Sequence, residues 1–420
     1  MMNPVDLLRF NRFDVPAKTL YLRHLGKEVQ DIRGEPVYLD LVGTWNGFKE
    51  YDDQSKTGKD VFLERFNDLN ASIRSEGFNK EYPVPVNKEG MLLNGSHRLA
   101  SCLVNHKDIE SIETTSPSAG QLDCTSYYFL NRGLNYKTAD SIAIEYARLK
   151  PTTRMAFVFP KATAQGHLVE ARTKIAESRL RLVYEKGAVL SGHGPLNLMR
   201  QLYRDEDWVG DISTRYHGFN AKAQMCYATK EENPTYAFLL DDESGGDSEA
   251  ADLKREIRDL FGIQNHSIHI TDTHEEACRL SQIFFNNNSL HYLIKANPYA
   301  DMPRFRHLAA ELKRWIETNK YDAEDLCITS SSVMSAYGLR DGRDIDILCR
   351  TDIPKIHPLI GDHESELGMY GHNKQQILYD DNLHFWYDGL KYASLEVVRG
   401  LKRNRGEAKD HRDLELMKGI

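Results

Sequence analysis

Between about residues 151 and 295, short apolar runs alternate with amphipathic stretches, and no other feature of this chain restricts its fold as strongly. MAFVFP, LRLVYEKGAVL, PTYAFLL and HSIHIT have the length and the β-branched or aromatic content of strands. Between and after them, HLVEARTKIAES, PLNLMRQLY, AADLKREIRDLF and HEEACRLSQIFF place apolar residues at helical spacing. Two halves of this kind predict an α+β sandwich of the ferredoxin type. The acidic, Gly- and Ser-rich tract DDESGGDSEAADL within it predicts a solvated loop.

The chain has 420 residues, too many for one ordinary core. At roughly 100–200 residues per domain it divides into three, taken as 1–125, 126–300 and 301–420, and the fold class is multidomain α+β. In the first, Phe62, Phe66, Leu69 and Ile73 predict a helix over 60–76 that ends at Gly77. YPVPV and GMLLN read as strands, GSHRLASCLVNH as a helix and SIETTSPSAGQLD as a loop. The third begins with the helix FRHLAAELKRWIETN. It continues through SSSVMSAYGLRDGRDIDILCR as a helix, a Gly-containing turn and a strand with two outward carboxylates. No repeat of solenoid period is present.

Charge and composition exclude several classes of function. A net charge of −8 gives no global basic field for a nucleic-acid backbone. No apolar run reaches membrane-spanning length, and MMNPVDLLRFNRFDV does not read as a signal peptide. Cys102, Cys124, Cys226, Cys278, Cys327 and Cys349 form no C-x-x-C pair, as expected of thiols in a reducing compartment, so the cytoplasm is the expected location.

Three constellations carry chemistry. Gly95, Ser96, His97 and Arg98 stand where a strand enters a helix, and free backbone N–H groups at such a start favour an anion. A capped helix with two solvated side chains is the plain alternative. The string LLNGSHRLASCL, with the helix and strand before it, resembles the ParB/sulfiredoxin superfamily over roughly residues 35–110. That resemblance implies a phosphate-holding loop at Gly95, Ser96, His97 and Arg98. Some members are ATP- or ADP-using kinases of small hydroxyl compounds, and others bind CTP or DNA. No cysteine stands in the motif, so sulfinic acid reduction is not implied.

The segment IRDLFGIQNHSIHITDTHEEA resembles nucleoside diphosphate kinase, and the order of elements extends the likeness over most of 151–290. The resemblance implies a phosphoryl-accepting His269, Arg258 beside the transferred group, and Tyr203 bordering the base or sugar. A histidine in that role needs one ring nitrogen turned to phosphate and the other fixed by an acceptor. Two positions depart from the family: Phe159 stands where it has Lys before the strand-1 Pro, with Lys161 after Pro160, and His266 stands where it has Asn. Metal binding by His266, His269, Asp272 and His274 is an alternative, but on a strand His266 and His269 would face opposite sides, which disfavours a shared ion.

Asp344 and Asp346, two apart on a strand, present their carboxylates on one face, where a divalent cation such as Mg²⁺ relieves their repulsion. A solvated strand edge is the bland alternative. The stretch SSSVMSAYGLRDGRDIDIL resembles the DNA polymerase β-like nucleotidyltransferases, with Ser331 and Ser332 where Gly-Ser is commonest and with Gly338 and Arg340 in place. The resemblance implies a triphosphate cradle at Ser331, Ser332 and Arg340, Mg²⁺ on Asp344 and Asp346, and ATP or CTP as cofactor. A third carboxylate is usual, with Asp388 and Glu396 as candidates. The closing tail KRNRGEAKDHRDLELM offers Lys402, Lys409 and Arg412 to phosphate.

Together these predict a cytoplasmic enzyme of nucleotide-dependent phosphoryl or nucleotidyl transfer to a small metabolite, such as a building block of surface polysaccharide. The alternative is a nucleotide-binding regulator, DNA-associated or not, without turnover. A toxin that modifies RNA or protein is a third reading, and the acidic balance argues against RNA as its substrate. The partners expected are a nucleotide and a small-molecule acceptor, with no nucleic acid, no membrane insertion, and self-association left open.

Overall fold

The computed structural model describes residues 1–420 apart from 28, 51–52, 117–122, 230–231 and 244–245. It is a multidomain α+β chain, and the described residues form three sheets, one in each of the three predicted segments. No described helix is long and apolar enough to cross a membrane. All six cysteines are free thiols, and Cys278 alone among them is more than slightly accessible.

The N-terminal sheet is small: β1 (Val84–Val86) pairs in parallel with β2 (Ser111–Glu113). The predicted helix before it spans Lys59–Glu76, burying Phe62, Phe66 and Ile73, and Gly77 caps it at positive φ through an N–H bond to Ile73 O. GMLLN is not a strand. Leu92 forms one bridge with Val86, and the carbonyls of Leu92 and Leu93 are taken by the buried Arg12 guanidinium instead of by a neighbouring strand. The predicted loop SIETTSPSAGQLD begins with β2, and its residues 117–122 lie outside the described residues.

In the central unit β3 (Thr153–Val158), β4 (Leu180–Ala188), β5 (Thr235–Asp242) and β6 (Ile268–Ile270) form one sheet in the order β4-β5-β3-β6. All its pairs are antiparallel. MAFVFP lacks polar residues because both faces of β3 are covered. Met155 and Phe157 join the core shared with the rest of the protein, while Ala156 and Val158 join a separate core under the Leu168–Glu177 and Asp247–Phe261 helices. The acidic tract corrects the loop expectation at both ends. Asp241 and Asp242 finish β5 as buried side chains, with Asp241 accepting from Tyr146 Oη at 2.8 Å and Thr152 Oγ1 at 2.7 Å, and the following helix starts at Asp247. A carboxylate that satisfies two hydroxyls belongs inside, whatever the composition around it suggests.

The C-terminal sheet comprises β7 (Leu326–Thr329), β8 (Ile345–Cys349), β9 (Ile360–Asp362), β10 (His384–Tyr387) and β11 (Leu390–Ala393), in the order β10-β11-β7-β8-β9. The helices Leu395–Arg405 and Ala408–Met417 close the chain as the tail predicts. One hydrophobic core runs through the N-terminal helices, one face of the central sheet and the C-terminal sheet. The three segments are also tied by charge. Glu324 receives Arg23 of the Asp14–Leu25 helix, Arg148 of the Tyr136–Leu149 helix at 3.0 Å, and Arg33 at 3.5 Å.

Candidate functional site

The largest candidate lies over the C-terminal sheet, a cleft of about 780 Å³. Asp344 precedes β8 and Asp346 lies within it, and both line the cleft, as two-residue spacing requires. The Ser331–Ala336 helix follows β7, with Ser330 at positive φ turning the chain into it, and Ser330 and Ser331 line the same cleft. Ser332 does not. Its hydroxyl is buried, donating to Asp344 O at 3.3 Å and accepting from Asp346 N at 3.1 Å, so it fixes the two aspartates in place and is spent as a phosphate donor. Burial raises the Asp346 carboxyl above its usual range, with His363 opposing and the Asp344 charge adding to the rise. A cation there would relieve both the repulsion and the lost hydration.

The rest of the lining is rich in basic side chains. Arg340 is held bidentately by Asp413 at 2.7 and 2.9 Å, and Arg405 by Asp410. Lys402, expected to be available for phosphate, is buried between Asp410 at 3.1 Å and Asp413 at 2.9 Å and serves to join the last two helices. Lys409 pairs with the exposed Glu407 at 2.8 Å. Arg343 and Arg412 line the cleft with no ion-pair partner among the described residues. Six cations against three carboxylates make the cleft suited to an anion larger than the two aspartates alone would admit.

Neither proposed third carboxylate reaches it. Asp388 sits in the β10–β11 turn, held by Lys313 at 3.0 Å and Arg204 at 3.4 Å, and Glu396 pairs with Arg399. The side chain beside Asp346 is His363, just after β9, with Nε2 3.7 Å from Asp346 Oδ2. Thr329 Oγ1 donates to Tyr370 Oη at 2.9 Å, and Tyr370 Oη lies 2.6 Å from His363 Nδ1, which fixes the ring. Sequence reading missed His363 because β9 is three residues long and carries no motif of its own.

A second cavity, about 470 Å³, gathers the central residues His269, Tyr203 and Arg258. His269 lies on β6, 9% exposed, with Nε2 3.3 Å from Glu276 Oε1 and its ring edge-on to Tyr203 at 5.0 Å. The acceptor that steadies the ring is thus Glu276; Glu275, next to it, is exposed and turned to Arg204 at 3.6 Å. Burial opposes ionisation of Glu276, yet its contact with His269 keeps its carboxyl below the usual range. The His266 expectation is corrected: it lies on a 3-10 turn before β6, not on the strand, and lines the same cavity as His269. Burial and the charges of Lys222, Lys161 and Arg258 depress its imidazolium, so it faces the cavity as a neutral ring.

Lys222, on the His217–Tyr227 helix, is almost buried in this cavity, donating to Asn265 O with Nζ 5.3 Å from the Tyr203 ring centre. Phe159, by contrast, is fully buried and does not line the cavity. Nothing local in AKAQM marks that lysine; only the packing of its helix brings it to His269. Lys222→Ala is expected to weaken inorganic pyrophosphate binding at this cavity about tenfold, the weight of one hydrogen bond to a charged group, read by calorimetric titration.

The N-terminal constellation is divided. Gly95 takes φ 92°, and a Cβ there would meet Val84 Cγ1 at 2.6 Å, so only glycine fits. Ser96 Oγ points inward and accepts from Lys18 Nζ at 2.8 Å within a buried cluster of Arg12, Asp14 and Lys18. His97 Nε2 is 2.9 Å from Tyr38 Oη, its ring packs edge-on to Phe66, and burial with the nearby Lys18 charge holds it well below the usual histidine range. Arg98 donates to Tyr82 O and lines a separate cavity with Glu76 and Phe78. Of the two side chains expected to add donors at this helix start, His97 is engaged with Tyr38 and Arg98 with Tyr82 O, so the structure does not gather them around one anion.

No protein-family model matches the chain, and no curated protein matches it.

Proposed function

We propose that this chain is a nucleotide-dependent transferase whose C-terminal cleft transfers a phosphorus-containing group from ATP or CTP to a small hydroxylated or phosphorylated metabolite. The observation that carries the reading is the convergence of Asp344 and Asp346 on a cleft also lined by Arg343 and Arg412, which have no ion-pair partner among the described residues. Two carboxylates facing several cations suit a polyphosphate bridged by a divalent cation. Asp344 and Asp346 would hold Mg²⁺, which supplies charge neutralisation on the phosphates. Among the described residues no three His, Cys, Asp or Glu side chains gather as a metal cage, which suits an ion that completes its coordination with phosphate oxygens and water.

The resemblance to polymerase β-like nucleotidyltransferases fits this cleft, and the order β4-β5-β3-β6 supports a ferredoxin-type centre of the nucleoside diphosphate kinase kind. The ParB/sulfiredoxin-like reading of the N-terminal segment has less support, since Ser96 and His97 are engaged internally. A surface-polysaccharide precursor is one acceptor of the required chemistry.

The test uses α- and γ-labelled ATP or CTP. Label from the α-position on a product supports nucleotidyl transfer in the C-terminal cleft. Acid-labile γ-label on the protein, absent in His269→Ala, supports phosphotransfer in the central cavity. A second reading, a regulator that binds nucleotide without turnover, is favoured by one observation: neither candidate third carboxylate lines the cleft. Saturable binding with no transferred label would establish that reading in place of the first.

A further inference from the structure

A third cavity, about 470 Å³, opens between the central unit and the C-terminal domain, away from both sites above. One wall is the Gly194–Leu202 helix with Tyr216 and Tyr292; the other is the Pro303–Asn319 helix and the β10–β11 hairpin. Arg200 stands in it with its guanidinium carbon 4.6 Å from the Tyr216 ring centre and 5.9 Å from that of Tyr387. Its hydrogen bond is from Nη1 to Asn197 Oδ1 at 3.3 Å, and no carboxylate lies within ion-pair distance among the described residues. A guanidinium has five donors, so most of its capacity is unspent. Two carboxylates line the cavity: Asp388 is already held by Lys313 and Arg204, and Glu317 stands on the Pro303–Asn319 helix.

Tyr387 supplies an independent observation. It is 8% exposed and lines the cavity, and its buried hydroxyl has no partner at full hydrogen-bond geometry, the Gln201 side chain being the group beside it that interacts with it. A buried hydroxyl left unsatisfied is destabilising, and native structures usually provide a partner from protein, water or ligand. A guanidinium with no carboxylate partner and a phenol with an incompletely satisfied hydroxyl thus share a space walled by aromatic rings, which suits a charged head on a flat body.

We propose that this cavity binds a small anion carried on a planar ring: a phosphate or carboxylate is taken by Arg200 and Tyr387, and the ring lies among Tyr216 and Tyr292. The occupant also lies near Ser335, whose hydroxyl accepts from Gly342 N at 2.9 Å, two residues before Asp344.

Calorimetric titration of the full chain with phenyl phosphate, benzoate and inorganic phosphate tests this. A ring-bearing anion should bind saturably and at least about tenfold more tightly than inorganic phosphate, and the tighter of the two identifies the head group. Arg200→Gln should weaken it about tenfold, and Tyr387→Phe, which keeps the aromatic wall, should weaken it several-fold. His269→Ala and Asp344→Asn should leave it unchanged. Equal affinity for inorganic phosphate, undiminished affinity in either cavity variant, loss in His269→Ala or Asp344→Asn, or no binding of either ring-bearing anion would overturn the proposal. If Arg200→Gln does not fold, Tyr387→Phe decides alone.

Discussion

Replacing Asp344 and Asp346 together by asparagine is expected to abolish Mg²⁺-dependent turnover of ATP or CTP while nucleotide still binds. Asparagine keeps the shape of both side chains, and the Ser332 bonds to Asp344 O and Asp346 N are to backbone, so the β8 framework survives. What disappears is the negative charge that would hold a divalent cation against the phosphates. Cation-assisted charge stabilisation is worth several kcal/mol, so the loss should be about a thousandfold or more in kcat. Affinity for metal-free nucleotide should hold or rise, because Arg343 and Arg412 then face the phosphates with Asp413, already paired with Arg340, as the one remaining carboxylate of the lining. Label-transfer rates and equilibrium binding on the same variant separate the two effects. Unchanged turnover would remove this cleft from the mechanism.

Glu324→Gln is expected to produce the largest loss of stability of any single polar substitution outside the proposed sites. Glu324 is nearly buried and shared by Arg23, Arg148 and Arg33, which come from separate stretches of the chain. Removing one partner of a buried ion network leaves desolvated charge behind, at about 3–5 kcal/mol. Arg23 keeps Glu145 at 2.7 Å and Arg33 keeps Asp381 at 3.1 Å, which places the expected loss toward the lower end of that range. Denaturant unfolding should show a lower midpoint with an unchanged slope.

The same residue sets an acid dependence. Burial alone would raise its carboxyl, but the three arginines overturn that and hold it well below the usual glutamate range. A group depressed in the folded state stabilises fully above its unfolded value and loses that contribution as pH falls toward the folded one. Wild-type stability should therefore decline on acidification below about pH 4.5, and Glu324→Gln should lack that part of the decline. Parallel acid profiles for the two proteins would contradict the assignment.

Much of the fold could be read from local pattern. MAFVFP, PTYAFLL and HSIHIT became β3, β5 and β6 because uninterrupted apolar runs suit strands covered on both faces. The Phe62–Ile73 stripe became a helix closed by Gly77 because helical spacing and a left-handed cap are both short-range signals. The misreadings were of polar segments. Asp241 and Asp242 look solvated in sequence and are buried because Tyr146 and Thr152, far away in the chain, satisfy Asp241, and Arg154 lies 3.9 Å from Asp242. Ser96 and His97 look free at a helix start and are engaged because Lys18 and Tyr38 pack over them.

The sequence by itself determined the elements and the face shared by Asp344 and Asp346, since backbone periodicity is a property of neighbouring residues. Tertiary structure alone decided that His363 stands beside Asp346, that Lys222 and Glu276 frame His269, and that Arg98 parts from Ser96 and His97. Such contacts depend on how whole helices and sheets dock. Docking sums many weak apolar contacts over distant residues, and no short window of sequence contains that sum.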